Sequence, residues 1–249
     1  MGLAFIPLGV GDAFSALHYS SSVAIQAEGR WLLVDCPHPI RKILREGSAS
    51  SGAALDVGSF DGVVITHNHA DHASGLEGLG YYAHFVLHRR AKILAHPRVV
   101  AALWEGSLAG GMSEAAVDSA MNTRRMRFAD YFDLVPLDED RTVTLGPFQV
   151  ECRRTRHVVP TTALRIRAGG RSLGLSADTA FDPRLVAWLT EADLVLHETG
   201  TGIHTPYEAL AALPAETRAK LRLIHYPDEL DPAASGIEAL VQGRRYEVP

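Results

Sequence analysis

The segment Thr66-His67-Asn68-His69-Ala70-Asp71-His72 puts four side chains of metal-ligand type within six positions. Imidazole nitrogens and carboxylate oxygens are donors that zinc, manganese and iron all accept, and an imidazole-rich shell suits zinc first. His67 and His69, two residues apart, can point the same way toward one ion, while Asp71 and His72 come from the following turn and can serve another. A solvated histidine-rich loop, or a helix N-terminus capped by Asp71, is the competing reading. The metal reading is favoured because Gly62–Thr66 is an apolar run of buried-strand type that leads straight into the histidines.

Three more residues of ligand type follow strand-like runs. His157 comes after Phe148–Arg156, Asp178 after Ser172–Ser176, and His225 after Leu221–Ile224. A lone histidine at a strand end is more often packed or solvated than metal-bound, and an aspartate before a threonine is more often a turn or cap. Three such ends in one chain, beside HxHxDH, shift that balance toward a shared site. Cysteine plays no part in it: Cys36 and Cys152 form neither a CxxC pair nor a disulfide framework. Cys36 reads as a small buried hydrophobe. His18, His38, His84, His88 and His96 have no spacing that argues for metal.

The elements that must position these residues alternate in two halves. Leu3–Leu8, Ser22–Ala27 and Trp31–Val34 read as an antiparallel start, Pro39–Arg45 as helix and Ser48–Gly52 as a small-residue loop. From His72 to about Arg127 the pattern is mostly helical, with a strand at Lys92–Ala95 and a glycine-rich break at Ala109–Gly111. Strands return at Thr142–Leu145, Phe148–Arg156, Ala163–Arg167 and Ser172–Ser176. A helix is expected at Pro183–Thr190, then a strand at Leu194–His197, helical stretches near Pro206–Leu213 and Ala215–Lys220, and a last strand at Leu221–His225. Sheet-rich and helix-rich stretches in this order predict an α/β fold, two packed sheets flanked by helices in four layers. At 249 residues and 47% hydrophobic, one domain over residues 1–249 is expected. With no long apolar run and no signal-peptide pattern, a soluble cytoplasmic protein is expected, without a membrane partner. The net charge of −5 gives no general attraction to nucleic acid. The sequence allows a homodimer.

The motif set resembles the metallo-β-lactamase superfamily along nearly the whole chain. Asp35 in LLVDC looks like its first motif, HNHADH its second, and His157, Asp178 in SADT and His225 in LIHYPD its third to fifth. The resemblance implies a four-layer αββα sandwich. It implies that His67, His69 and His157 hold one metal, that Asp71, His72 and His225 hold another, and that Asp178 bridges both, with Asp35 orienting the loop. Asp178 stands where many true β-lactamases have cysteine, and His69 where the oxygen-reducing branch has glutamate, so a hydrolase of another kind is implied.

The stretch LVLHETG, then GIHTPYEA, then LIH is similar to the end of ribonuclease Z and its phosphodiesterase relatives. Glu198 and His204 are the matching positions for a pair that assists leaving-group departure. The competing reading makes His197 a core residue, Glu198 a strand-end charge and Thr205 a helix N-cap. Only twenty residues lie between His157 and Asp178, too few for the tRNA-gripping arm of many ribonucleases Z, so tRNA is not the implied substrate. Ala177 also replaces the glycine usual in the fourth motif. The implied function is a dinuclear metal-dependent phosphodiesterase acting on a small or cyclic phosphodiester. Two divalent ions, zinc first and manganese or iron next, would lie about 3.5–4 Å apart and activate water to hydroxide for attack on phosphorus. Asp71 would orient the nucleophile, and His204, held by Glu198, would protonate the departing oxygen. A lactone or thioester hydrolase on the same site, or a non-catalytic metal-bound regulator, are the alternatives. Arg154 and Arg156 are expected on one face of their strand and Arg153 on the other, most simply as a solvated face.

Overall fold

In the computed structural model, which describes residues 2–249, the apolar alternation near the N-terminus becomes strands buried on both faces. Strands β1 (Ala4–Gly9), β2 (Ser22–Ala27), β3 (Arg30–Val34), β4 (Phe60–Ile65) and β5 (Ala91–Ala95) come first. A small hairpin of β6 (Glu114–Ala116) and β7 (Thr123–Arg125) separates them from β8 (Phe132–Pro136). The second half supplies β9 (Val143–Leu145), β10 (Phe148–Arg154), β11 (Thr162–Ala168), β12 (Arg171–Leu175), β13 (Leu194–Glu198) and β14 (Leu221–Ile224), and β15 (Tyr246–Glu247) follows. They form a seven-stranded sheet in the order β15-β1-β2-β3-β4-β5-β8 and a six-stranded sheet in the order β14-β13-β12-β11-β10-β9. Each large sheet is antiparallel at one side and becomes parallel where helices intervene, from β3 onward in the first and from β12 onward in the second.

The two-residue period sorts the core into layers. Phe5, Val23, Ile25, Leu32, Val34 and Val64 pack with Phe148, Val150, Leu164, Ile166 and Leu173 of the second sheet. Their neighbours Ile6, Ala24, Leu33, Val63 and Ile65 pack instead with the helical residues Ile40, Ile43, Leu44, Leu76 and Leu79. Helix Pro183–Leu189 adds Leu185, Trp188 and Leu189 to the core cluster of the second sheet. The result is the four-layer αββα sandwich expected from the sequence. Each fully buried aliphatic or aromatic side chain contributes about 1.5–3 kcal/mol, so the sheet faces outweigh local propensity in holding the layers.

Several local expectations are corrected. Ser48–Gly52 is not a loop: helix Ile40–Ser51 continues through it and stops at Gly52, which takes the left-handed conformation at φ 75°. Ser48, Ser50 and Ser51 each donate a hydroxyl bond to the carbonyl four residues back, which lets small polar residues stay helical. The expected break at Ala109–Gly111 lies within a helical turn, Ala109–Met112, and the region before β8 holds short helical segments plus the β6–β7 hairpin, which the helical pattern hid. Strand β8 was not expected, because it pairs only with β5 on one side and alternates weakly. Strand β10 ends at Arg154 and not Arg156: Thr155 leaves the ladder and donates its hydroxyl to the Asp178 carbonyl at 2.7 Å.

One glycine is demanded by close approach. Gly75 follows the short helix Ala70–Ala73 and donates its amide to the Cys36 carbonyl at 2.7 Å; a Cβ there would stand 2.4 Å from the Pro37 carbonyl oxygen and 2.7 Å from that of Cys36. Backbone oxygens cannot swing aside as a side chain can. Gly75→Ala is therefore expected to destabilise the protein by about 1–3 kcal/mol, read as a lower urea midpoint with an unchanged slope.

Candidate metal centre

The proposed metal ligands lie past strand ends or in the short helix that follows β4, and at three strand ends around the site the backbone turns sharply. Asp35 follows β3 at φ 58°, Ala177 follows β12 at φ 48°, and His225 follows β14 at φ 53°. Non-glycine residues in the left-handed region cost on the order of 1–2 kcal/mol each. Backbone bonds offset that cost: Asp35 N–H donates to Val64, Ser176 N–H to Leu196 and Tyr226 N–H to Val10. The position of Ala177 also explains why glycine is usual there in the related motif. Thr162 N–H donates to the Thr66 carbonyl at 3.1 Å and ties the start of β11 to the HxHxDH loop, joining the two sheets at the site.

All seven expected ligands come together, in two groups that share one carboxylate. His67, His69, His157 and Asp178 form the first group, and Asp71, His72, His225 and Asp178 the second. The two oxygens of Asp178 divide between them. Oδ2 lies 3.6 Å from His67 Nε2 and 3.7 Å from His157 Nε2, and Oδ1 lies 3.2 Å from His72 Nε2 and 3.5 Å from His225 Nε2. Asp71 Oδ2 lies 3.2 Å from His72 Nε2 and 3.3 Å from His225 Nε2. Donors bound at zinc-like distances on a tetrahedron are separated by about 3.4 Å, so the spacings fit a metal in each group.

The hydrogen bonds behind the donors set their tautomers. Asp35 Oδ1 accepts the Thr66 amide, and Oδ2 accepts the Thr66 hydroxyl at 2.8 Å and His72 Nδ1–H at 2.8 Å. With its proton given to Asp35, the Thr66 hydroxyl accepts His67 Nδ1–H at 3.0 Å. Both rings therefore turn an unprotonated Nε2 toward carboxylates, an arrangement that a cation makes favourable. Asp35 occupies the orienting place that the sequence resemblance implied. Thr66 does as much, though its spacing carried no signal for it.

The charge balance points the same way. Burial alone would raise the Asp178 carboxyl, yet His72, His225 and His67 hold it well below the usual carboxylate range; Asp71 is likewise held low by His225 and His72 against its burial. Burial pushes the His67 ring well below its ordinary value and pulls His157 down to about 4. Burial opposes charge on His72 as well, but Asp178 and Asp35 drive its pKa well above the ordinary histidine value. Ionised carboxylates and neutral rings are the protonation states a metal requires, and the pull on His72 shows how strongly the cluster favours positive charge.

Glu198 and His204 also meet here. His204 Nδ1 is 3.1 Å from Glu198 Oε1, which also accepts the Thr179 amide at 2.7 Å. Glu198 is 1% exposed, while the His204 side chain is partly open. The hydrogen bond to Glu198 raises the pKa of His204, against burial, and Asp178 and Asp12 add to it. His204 and His225 rings are 5.2 Å apart, and Glu198, His204 and His225 form a third set of clustered donors. Thr205 is not a helix cap, since its hydroxyl donates to the Thr179 carbonyl; His197 is the buried core residue of the competing reading. Thr179 and Asp12 were missed by the sequence reading, since neither has a motif of its own.

Arg153, Arg154 and Arg156 are all exposed, as the expected solvated face requires, with Arg156 two residues beyond the end of the strand. Arg153 sits over the Trp188 ring, Arg154 pairs with Glu139, and Arg156 donates to the Phe181 carbonyl.

Residues 3–245 match the family described as Anti-Pycsar protein Apyc1. A protein of that description from Paenibacillus sp. (strain J14) is 32% identical over 241 residues, covering 93% of this chain and 92% of its own. One from Bacillus phage 010DV004 is 30% identical over 257 residues, 96% of each chain. Among solved structures, the metallo-β-lactamase fold protein YhfI from Bacillus subtilis aligns with a TM-score of 0.79 at 18% identity, covering 99% of this chain and 100% of that one. The short form of human tRNase Z aligns with a TM-score of 0.70 at 20% identity over 99% of both chains. These structural likenesses establish the metallo-β-lactamase fold.

If Asp35 works through His72, its removal weakens metal binding without touching a donor. Asp35→Asn should lower the affinity for zinc by about 10–100-fold in a chelator competition. Asp178→Ala, which removes the shared donor, should leave less metal per chain by elemental analysis. Unchanged affinity and content in both variants would overturn the assignment of this cluster.

Proposed function

From a chain that belongs to the Anti-Pycsar protein Apyc1 family, we propose a dinuclear metal-dependent phosphodiesterase that hydrolyses a small cyclic phosphodiester of the cyclic-nucleotide type. His67, His69 and His157 would hold one ion and Asp71, His72 and His225 the other, with Asp178 the donor common to both groups. Zinc is the first choice for so many imidazoles, with manganese or iron compatible with the same donors. Bound divalent ions supply Lewis acidity toward phosphoryl oxygens and lower the pKa of water.

The observation that carries the choice of substrate is the Glu198–His204 pair beside the shared carboxylate. Glu198 accepts at His204 Nδ1 and favours the charged ring, which leaves Nε2–H, without a partner among the described residues, as a proton donor. A sugar alkoxide is a poor leaving group and benefits from that proton; an activated ester or lactone needs it less. As water oxygen bonds to phosphorus and the ester P–O bond breaks, the proton passes from His204 to the departing oxygen. Thr179 holds Glu198 in place through its amide. Asp71 belongs to the second donor group, where its ionised carboxylate can accept a hydrogen bond from the attacking water and orient it.

General acid catalysis contributes typically about 10²–10⁴-fold. His204→Ala should slow a cyclic nucleotide by that range while sparing bis(p-nitrophenyl) phosphate, whose leaving group departs without a proton. Glu198→Ala should show the same selectivity more mildly. Equal losses on the two substrates, measured with matched metal content, would mean that His204 binds or positions and does not donate the proton.

A further inference from the structure

Four large apolar side chains stand in solvent on segments that are joined to the donor cluster, each close in sequence to a residue of the site or its supports. Val158, 67% exposed, follows His157, and Ile203, 47% exposed, precedes His204. Phe14 and Leu17 belong to the loop between β1 and β2 and are 92% and 72% exposed. That loop reaches the site at its base. Gly11 bridges to Tyr226, the residue after His225, and Asp12 N–H donates to the Tyr226 carbonyl at 3.2 Å. The Asp12 carboxylate acts electrostatically on His204, and the same carboxylate accepts the Phe14 amide at 2.9 Å. Phe14 is thus one hydrogen bond away from a group that His204 feels.

The loop holds its aromatic ring out; it is not a slack segment that happens to expose one. Asp228, three residues beyond His225, accepts the Ala16 amide at 2.7 Å, the Leu17 amide at 3.3 Å and the Ser15 hydroxyl. The Ser15 oxygen accepts the His18 amide at 3.0 Å, and Gln242 takes the Tyr19 amide at 2.9 Å. Asp12 and Asp228 therefore pin the loop on both sides of Phe14, and Gln242 pins its far end. A nucleotide supplies the matching partner. Its phosphodiester belongs over the donor cluster and its sugar oxygen beside His204, and both of those regions are polar. The flat face of the base is the part of the substrate left to meet an apolar surface at the rim.

We propose that Phe14 is the base-stacking residue of this site, a specificity-determining side chain whose loop is held in place by Asp12 and Asp228. The proposal rests on the cyclic-nucleotide reading above. A phenyl ring offers no hydrogen bond, so it takes the face of the base and acts on binding, leaving bond cleavage to the metal cluster and His204.

The test compares a 3′,5′-cyclic nucleotide with the matching abasic ribose 3′,5′-cyclic phosphate, using the metal-loaded full chain as wild type, Phe14→Ala and Phe14→Trp. Stacking on one base corresponds to about 10–100-fold in affinity, so Phe14→Ala should raise KM for the nucleotide and cut the preference for it over the abasic compound by roughly that factor. Phe14→Trp should restore the preference. A merely structural role would lower turnover of both compounds and leave their ratio alone, which overturns the proposal. An unchanged ratio together with a shift from dimer to monomer in sedimentation also overturns it, and assigns the ring to a contact between copies of the chain. If the wild type cleaves lactones or thioesters and neither cyclic phosphate, the cyclic-nucleotide reading itself fails before any substitution is made, and the Phe14 assignment fails with it.

Discussion

A buried carboxylate and a half-buried one facing five imidazoles set the terms for the structure around them. Asp71 and Asp178 lie among His67, His69, His72, His157 and His225 in a region nearly closed to water. An unpaired charge in such a place is very costly, and protonating the carboxylates would discard their use as donors. The cluster avoids both outcomes by turning unprotonated ring nitrogens and ionised oxygens toward common points where a cation can sit. A third carboxylate, Asp35, stands behind them and decides which nitrogen of His72 carries the proton.

This demand explains why two sheets are needed. The first delivers Asp35 and the HxHxDH loop, and the second delivers His157, Asp178 and His225, so the site exists only where the packed sheets bring their ends together. Left-handed turns at Asp35, Ala177 and His225 cost backbone energy; the bond from Thr162 to Thr66 ties the two sheets together at the site, and that from Thr155 to Asp178 ties the ends of β10 and β12 within the second sheet. The large apolar faces of the sandwich supply the stability that such local strain draws on.

The same edge also arranges the surroundings of the donors by polarity. Glu198 and His204 place a hydrogen-bonded polar pair beside the shared carboxylate, and exposed apolar side chains adjoin the site residues in sequence, at Ile203 and Val158. A substrate with an anionic centre, a poor leaving group and a flat apolar part matches that order from the inside outward. No helix among the described residues is long and apolar enough to cross a membrane.

By itself the sequence determined which seven residues would gather at the candidate site, and the layer plan. Both are carried by short-range signals: the spacing in HxHxDH, ligand-type residues immediately after apolar runs, and a two-residue alternation that writes buried faces directly into the chain. The extent of helix Ile40–Ser51, the β6–β7 hairpin and strand β8 were not legible, because serine back-bonding and edge pairing overrule composition only once neighbours are present. Tertiary structure alone decided that the two oxygens of Asp178 face different donor groups, that Thr66 fixes the His67 tautomer, and that Asp228 fastens the loop that carries Phe14 to the segment after His225. Those relations join residues up to 213 positions apart, and no local pattern encodes them. They arise because buried polar groups must find partners wherever the packed sheets happen to bring them.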